Sequence, residues 1–250
     1  MKALITRSRD GAASFASALT ARGIEPVLAP MLNVLPERDG AAQVQASLIG
    51  AQAILFTSAN GVRAFATASS RRELPAFAVG DATGAAARLA NFRTVYSAHG
   101  DVEDLAALVA GRLSPRQGAL VHAAGRDVAN DLAAMLIARG FAARAVVLYR
   151  AEPVAALPPD VVAALREGIA LAFFFSPRGA VTFARLAGDS GFVGICADMT
   201  AFAISAAVGE ALGELAWRAL WIAPAPTQAA LLKTLDEVLS RLREIGKSLA

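Results

Sequence analysis

Five turns in the chain combine residue types that could bind an anion. In each, an apolar run ends in small or polar residues and a helical pattern follows, at 57–61, 80–83, 124–127, 176–179 and 224–228. Backbone N–H groups at the start of a helix have no partner within it, and the helix dipole favours negative charge there. One such turn is more often an ordinary cap. Their repetition predicts a ligand with several carboxylates or phosphates.

A tyrosine and two arginines lie at the ends of predicted strands. Tyr149 ends the run 145–149, and a phenol there could donate a proton or a hydrogen bond to a ligand. The alternative is a half-buried aromatic with no chemical role. Arg7 and Arg126 could pair with carboxylates, although exposed arginines without a specific role are equally common.

The remaining reactive residue types give no sign of nucleophilic or metal catalysis. The single cysteine, Cys196, lies in an apolar stretch and is expected to be inert, and two histidines are too few for a His-rich metal site. We expect His99 and His122 to be structural or solvated. Asp81 and Asp101 have the positions of helix caps. An enzyme built this way would depend on positioning and electrostatic stabilisation.

The elements that position these residues occur in similar copies. Three pairs of segments resemble each other: 3–23 and 119–140, 54–66 and 173–184, and 78–84 and 203–209. Each copy is a strand, a short polar turn and a helix. Two sets of such units predict two similar α/β domains, with a ligand held in a cleft between them.

Short apolar runs alternate with Ala/Leu-rich helical patterns along the whole chain. Strands are predicted at 2–6, 26–29, 53–57, 76–79, 94–96, 119–122, 145–149, 171–175, 201–204 and 220–222. Helices are predicted at 10–22, 41–49, 60–68, 82–90, 102–112, 127–139, 160–167, 178–187, 206–215 and 227–243. This alternation favours parallel sheets covered by helices on both faces. The C-terminal segment 240–250 could extend the last helix or fray.

Two proline-bounded segments, 30–36 and 153–159, follow the second strand of each copy. Proline disfavours helix and biases the preceding residue towards extended structure. Matched segments suggest two crossings between domains, so that the first strand–helix–strand unit would pack with the C-terminal half. A simple tandem arrangement, divided near Ser114, is the alternative.

Composition limits the classes of function. The chain has 250 residues, 56% of them hydrophobic and 18% charged, which permits two cores and argues against disorder. A net charge of +3 is too small to imply nucleic acid binding. The N-terminus lacks a signal-peptide pattern, and no uncharged apolar run approaches the ~20 residues of a membrane span. We therefore expect a cytoplasmic protein without a membrane partner, and a monomer by default.

Taken in order, these motifs resemble the uroporphyrinogen-III synthase family over nearly the whole chain. The resemblance rests on the segments Leu4–Arg7, Leu55–Val62, Val79–Thr83, Val147–Ala151, Phe174–Gly179, Ala203–Ile204 and Pro226–Thr227. It implies two flavodoxin-like, doubly wound domains joined by a two-stranded linker. The domains would comprise 1–33 with 156–250, and 40–149, with linkers at about 30–39 and 150–159.

The resemblance also implies a reaction. Hydroxymethylbilane, a linear tetrapyrrole with many carboxylate arms, would be cyclised with loss of water and inversion of ring D, through an azafulvene-type cation and a spiro intermediate. No metal or organic cofactor is implied. Tyr149 would assist departure of the hydroxyl group. The expected substrate-binding residues are Arg7, Thr57, Ser58, Asn60, Gly80, Thr83, Gly125, Arg126, Ser176, Pro177 and Thr227.

Some positions depart from the family pattern. Ser8 stands where the family usually has proline, and the second Gly-x-x-Thr turn reads Ser205–Val208, so that both its glycine and its threonine are replaced. An arginine often found after Gly125 is replaced by Ala129-Asn130, and Arg126 could substitute for it.

Two other functions are compatible with the same residues. One is a non-catalytic binder of an anionic small molecule, such as a degenerate relative of the synthases. The other is a generic flavodoxin-like nucleotide-binding protein, which the lack of a G-x-G-x-x-G or Walker A motif disfavours. The presence of Tyr149 and of the Thr/Ser turns favours the enzyme.

Overall fold

The structure, a computed structural model, describes residues 1–127 and 131–248. In these ranges the strands are β1 (Lys2–Ile5), β2 (Glu25–Leu28), β3 (Leu32–Pro36), β4 (Ala51–Phe56), β5 (Ala76–Ala78), β6 (Val95–Ser97), β7 (Ala119–Gly125), β8 (Ala143–Pro153), β9 (Leu171–Phe174), β10 (Thr200–Ala203) and β11 (Ala219–Ile222). The helices are α1 (Arg9–Thr20), α2 (Gly40–Ser47), α3 (Ala59–Ala68), α4 (Asp81–Leu89), α5 (Val102–Arg112), α6 (Leu132–Ile137), α7 (Pro159–Glu167), α8 (Pro177–Asp189), α9 (Val193–Cys196), α10 (Ala206–Ala211) and α11 (Gln228–Ser248).

Most predicted elements are present near their predicted positions, and three differ. Strand β3 was predicted only as an extended linker; it lies at an edge of its sheet, where proline is tolerated because an edge residue need not donate to the ladder. The short helix α9 was not predicted. The helix predicted at 127–139 is observed from Leu132, and residues 128–130, with the Ala129-Asn130 departure, lie outside the described residues.

The chain divides into two compact units. The first comprises 1–33 and 152–250. Its sheet has the strand order β2-β1-β9-β10-β11, and neighbouring strands are parallel. The chain therefore leaves this sheet after β2 and returns to it at β9.

The second unit comprises 34–151. Its sheet has the order β3-β8-β7-β4-β5-β6. The pairings among β4, β5, β6, β7 and β8 are parallel. As in the first unit, helices connect successive parallel strands, which such pairs require because a tight hairpin cannot join them.

The internal repeat of the sequence has a structural counterpart. If β7 is aligned with β1, β8 with β2, and β4, β5 and β6 with β9, β10 and β11, the first sheet and the five corresponding strands of the second share the spatial order 2-1-3-4-5, with β3 added at the edge beside β8. In a sheet of this order, the connections that follow the first and third strands run to opposite faces of the sheet. Ligands bind beyond the carboxyl ends of these two adjacent strands. These ends are the turns after β7 and β4 in one unit, and after β1 and β9 in the other.

Each sheet is buried on both faces because its strands are apolar at successive positions. In the first unit, Leu4 faces one hydrophobic cluster and Ile5 the other. In the second, Phe56 and Leu55 are divided in the same way. No helix within the described ranges is long and apolar enough to cross a membrane.

Candidate active site

Ser58 is the N-cap of α3 and lies at the carboxyl end of β4. Its Oγ accepts a hydrogen bond of 3.0 Å from the backbone N–H of Gly61, which satisfies one of the unpaired donors of the first turn. A Cβ on Gly61 would lie 2.6 Å from the carbonyl oxygen of Ala123. Only glycine therefore allows the start of α3 to approach β7 so closely.

Tyr149 reaches the same cap from β8. Its hydroxyl oxygen lies 2.8 Å from Oγ of Ser58, and either group can be the donor. The ring is half-buried against the hydrophobic cluster beneath α3. The structure therefore brings together two of the residues that the sequence singled out, from positions 91 residues apart.

A β-bulge in β8 turns Tyr149 towards this cap. Strands β7 and β8 pair residue by residue up to Ala124 and Val147, after which Gly125 pairs with Tyr149, so that Leu148 is the extra residue. An extra residue interrupts the alternation of side chains between the two faces of a sheet. Leu148 and Tyr149 consequently pack against the same hydrophobic cluster although they are adjacent in the chain.

Gly125 lies beneath the tyrosine ring. A Cβ at this position would be 2.8 Å from Cζ of Tyr149 and 3.0 Å from its hydroxyl oxygen. No side chain fits there without moving the ring. Contact between Gly125 and substrate stays a prediction, and the structure adds a second role for this glycine, which is to make room for Tyr149.

Arg126 already has a carboxylate partner. Its guanidinium lies 2.8 Å from Oε1 of Glu37. It donates a hydrogen bond of 2.9 Å to Oε2 of the same carboxylate. Arg150 lies 3.9 Å from Oε2 of Glu37. These three residues line a surface pocket of about 470 Å³. A substrate carboxylate that binds Arg126 in this pocket has to compete with Glu37.

Thr57 is held by a buried histidine. Its Oγ1 lies 3.1 Å from Nε2 of His122, which is on β7 and only 2% exposed. Burial lowers the pKa of His122 to about 4, against the opposing influence of the Asp131 charge. The ring is thus neutral near neutral pH. Of the two expectations for His122, the structure supports a buried structural position over a solvated one.

Asn60 lies in the first turn of α3, and its Oδ1 accepts a hydrogen bond of 2.5 Å from Arg63. Gly80 is the N-cap of α4, and among the residues that the structure describes a Cβ there would meet only the carbonyl oxygen of Gly100, at 3.9 Å. Protein packing therefore does not explain a glycine at 80. Thr83 is buried in the same helix, 6% exposed.

The two predicted aspartate caps have different outcomes. Asp101 caps α5, as predicted, and the structure adds a capping box with Asp104. The prediction for Asp81 is wrong: Gly80 is the cap of α4, and Asp81 is the first helical residue. Its carboxylate instead accepts from Ser97 at 2.9 Å and lies 2.8 Å from Nδ1 of His99. The Ser97 hydrogen bond, followed by that of His99, lowers the pKa of Asp81.

In the first unit the predicted residues are again at helix starts. Ser176 caps α8 through the N–H of Gly179 at 3.1 Å, and Pro177 is the first residue of that helix. The hydroxyl of Thr227 accepts from the N–H of Ala230 at 3.1 Å, at the start of α11. The divergent turn at Ser205 has no side-chain cap hydrogen bond.

Arg7 follows β1, next to the turn that carries Ser176. Its guanidinium lies 5.4 Å from the centre of the Phe175 ring, close enough for a cation–π interaction. A Cβ on Gly11 would lie 2.8 Å from Nε of Arg7, so the glycine leaves room for this side chain against α1. The position of Arg7 beyond β1 is compatible with its predicted role.

Three residues close to the predicted ones were given no functional role by the sequence. Glu37 pairs with Arg126, Arg150 lies near the same carboxylate, and His122 is hydrogen-bonded to Thr57. One signal was present for His122, since it is the only polar side chain in the run 119–124. Nothing comparable marks Glu37, which lies in a stretch with the composition of a linker.

Comparisons with known proteins give a family match and similar solved structures. A family model described as "Uroporphyrinogen-III synthase HemD" matches residues 13–233. No curated protein matches the chain. A uroporphyrinogen-III synthetase from Helicobacter pylori 26695 has a similar structure, with a TM-score of 0.63, 14% identity and coverage of 95% of this chain and 99% of the other. A mutant uroporphyrinogen III synthase from the extremely thermophilic bacterium Thermus thermophilus gives a TM-score of 0.52 at 18% identity, covering 96% and 99%.

The two solved structures are too distant in sequence to show more than a common fold. The family model matches well over half of the chain. It includes the turns around Ser58 and Ser176, the Gly125–Tyr149 pair and the start of α11. The chain therefore belongs to the uroporphyrinogen-III synthase family and is a cyclising lyase, which converts hydroxymethylbilane to uroporphyrinogen III with loss of water and inversion of ring D in haem biosynthesis.

Proposed function

We propose that the hydroxyl group of Tyr149 assists the first step of this reaction. The C–O bond of the terminal hydroxymethyl group breaks, and the oxygen takes a proton and leaves as water. The pyrrole nitrogen supplies the electron pair, which leaves an azafulvene-type cation. The substituted carbon of ring D attacks this cation to form the spiro intermediate, which fragments and recloses with ring D inverted. The α-carbon of ring D that forms the last bond then loses its hydrogen as a proton, which balances the proton taken by the departing oxygen. Tyr149 donates the proton, or a hydrogen bond, to the departing oxygen.

The observation that supports this role is the hydrogen bond between Tyr149 and Ser58. Ser58 Oγ already accepts the N–H of Gly61, so its own proton can be donated to the tyrosine oxygen. The phenol proton is then available for the leaving group. The same serine proton stabilises the phenolate if the proton is transferred completely, because hydrogen bonds to ionised oxygens are stronger than neutral ones.

The carboxylate arms of the substrate are proposed to bind at the helix starts. Hydroxyl groups and backbone N–H groups there are suited to anions because of the helix dipole. The proposed contacts are Arg7, Thr57, Ser58, Asn60, Gly80, Thr83, Gly125, Arg126, Ser176, Pro177 and Thr227. Gly80 is supported by its open surroundings, since none of the described residues would crowd a side chain there.

The finer description of the fold is also a proposal. The strand order 2-1-3-4-5 in each unit supports two flavodoxin-like domains, at 1–33 with 156–250 and at 40–149. A two-stranded linker at about 30–39 and 150–159 is supported by the adjacency of β3 and β8. A monomeric state and a cytoplasmic location stay predictions, which sedimentation analysis and cell fractionation would test.

A coupled assay tests the proposed function. Hydroxymethylbilane is generated in situ, the protein is added, and the oxidised type I and type III porphyrins are separated by chromatography. We expect the type III isomer. Formation of type I alone, at the spontaneous rate, would favour the alternative of a non-catalytic binder, and binding of the product without turnover would support that alternative directly.

A further inference from the structure

Two adjacent hydroxyl groups after β4 are each hydrogen-bonded to a side chain on another strand of the same sheet. Ser58 is hydrogen-bonded to Tyr149 of β8, and Thr57 to His122 of β7. The proposed reaction uses Tyr149, Ser58 and Thr57, but it leaves His122 without a role. Burial of an imidazole in the middle of a strand costs free energy unless its polar atoms have hydrogen-bond partners. A histidine at this buried position beside Thr57 therefore suggests a function.

The direction of the hydrogen bond decides what Thr57 can do. A neutral imidazole has one N–H and one acceptor nitrogen. If Nε2 is the acceptor, the Thr57 proton is committed to the histidine, and Thr57 can offer a ligand only lone pairs. If Nε2 carries the hydrogen, it donates to Oγ1, and the Thr57 proton is available to an anion. A carboxylate ligand requires the second arrangement because it only accepts hydrogen bonds.

We propose that His122 is a positioning residue that donates its Nε2–H to Oγ1 of Thr57 and so directs the Thr57 proton towards a carboxylate of the substrate. This inference rests on the proposed substrate-binding role of Thr57. His122 itself is too deeply buried to touch a ligand, with 2% of its surface exposed. It acts on binding only through the threonine.

The position of the pair in the sheet supports this assignment. Strand β7 lies next to β4, and Leu55 pairs with His122. The imidazole therefore lies alongside the end of β4, two residues before Thr57. These strands are the two at which the chain changes direction across the sheet, where open α/β sheets bind ligands. The imidazole N–H of His122, held in β7, would fix the orientation of the Thr57 hydroxyl group, which would otherwise rotate freely.

A double-mutant cycle distinguishes positioning from a merely structural role. His122→Leu removes the donor, His122→Gln keeps an N–H near the Nε2 position, and Thr57→Val removes the hydroxyl. We expect His122→Leu to raise KM about tenfold, the order of one hydrogen bond to a charged group, with kcat within about twofold. His122→Gln should restore KM to near the wild-type value.

The decisive measurement is the KM of the double mutant that carries both Thr57→Val and His122→Leu. In the Thr57→Val background, His122→Leu should have no further effect on KM, because the hydroxyl group it directs is gone. Additive effects in the double mutant would overturn the proposal, as would an unchanged KM in Thr57→Val. Thr67→Val is the matched control, since the Thr67 hydroxyl donates to the carbonyl of Arg63 in its own helix and its loss should leave KM unchanged.

A spectroscopic measurement tests the same proposal without turnover. The chain has two histidines, so a ¹H–¹⁵N spectrum of the imidazole rings of the wild-type protein can be assigned with His99→Gln. We expect the Nε2–H tautomer for His122, and a shift of its Nε2 signal in Thr57→Val. The Nδ1–H tautomer would overturn the proposal even if His122→Leu fails to fold. Absence of type III product from the wild type would instead overturn the proposed function.

Discussion

The hydroxyl oxygen of Tyr149 and Oγ of Ser58 lie 2.8 Å apart, so that a strand residue and the cap of a helix share one hydrogen bond. This relationship depends on two local features. The bulge at Leu148 turns the tyrosine towards α3, and Gly61 lets the start of α3 approach β7. Substitutions that alter the bulge or Gly61 should therefore displace the Tyr149 hydroxyl group from Ser58.

Replacement of Gly125 by alanine should displace the tyrosine ring. The added Cβ would lie 2.8 Å from Cζ of Tyr149, and relief of such overpacking typically costs about 1–3 kcal/mol of stability. Because a displacement of ~1 Å can reduce catalysis about 100-fold, we expect kcat for type III formation to fall by tenfold or more. Gly111→Ala is the control, since a side chain there meets open space. Equal kcat values for the two variants would show that Gly125 does not position Tyr149.

Ser58→Ala should destabilise the protein more than Ser176→Ala. Both changes remove a helix cap, which costs about 1 kcal/mol, but only Ser58 is also hydrogen-bonded to Tyr149. We expect the loss of unfolding free energy to be larger for Ser58→Ala by about 1 kcal/mol, the net value of one hydrogen bond. Denaturant unfolding of both variants measures the difference. Equal losses would mean that the Tyr149 contact contributes nothing to stability.

Removal of the Glu37 charge should strengthen substrate binding. If Arg126 binds a substrate carboxylate as proposed, Glu37 competes for the same guanidinium, and ion pairs near the surface contribute up to about 1 kcal/mol. We therefore expect Glu37→Gln to lower KM about threefold and Arg126→Gln to raise it. In the Arg126→Gln background, Glu37→Gln should have no effect. Glu73→Gln makes the same charge change at an exposed pair and should leave KM unchanged. A raised KM in Glu37→Gln would contradict substrate binding by Arg126.

The buried His122 should make stability depend on pH. Its pKa is about 4 in the folded protein, against an ordinary value of 6.5, so the unfolded chain binds more protons between these values. Stability is therefore complete above pH 6.5 and declines as the pH falls towards 4, by at most about 3 kcal/mol. Denaturant unfolding of wild type and His122→Gln between pH 4 and 7 isolates this contribution. Parallel curves for the two proteins would contradict the lowered pKa.

Much of the fold could be predicted from the sequence because its signals are local. Apolar runs, helical periodicity and turn residues lie within a few positions of one another, and the internal repeat indicated which segments are equivalent. Asp101 was identified as a cap for the same reason. The error at Asp81 came from a neighbouring glycine, which can also occupy the cap position.

The site was harder to predict because its contacts are distant in the chain. His122 and Thr57 are separated by 65 residues, and Arg126 and Glu37 by 89. The direction in which Tyr149 points depends on the register between β7 and β8, and a bulge changes that register by one residue. No pattern within either strand predicts the bulge. The sequence therefore indicated the catalytic candidate but not what holds it in place.

The most direct test of the central claim is the rate of type III formation by Tyr149→Phe. The variant keeps the ring over Gly125 and removes only the hydroxyl group, so its fold, monitored by circular dichroism and thermal unfolding, should be retained. We expect kcat to fall about 100-fold, the lower range for loss of a general acid, while Tyr96→Phe, which changes the only other tyrosine, has little effect. A folded Tyr149→Phe variant that forms the type III isomer at the wild-type rate would contradict the role of Tyr149 in departure of the hydroxyl group.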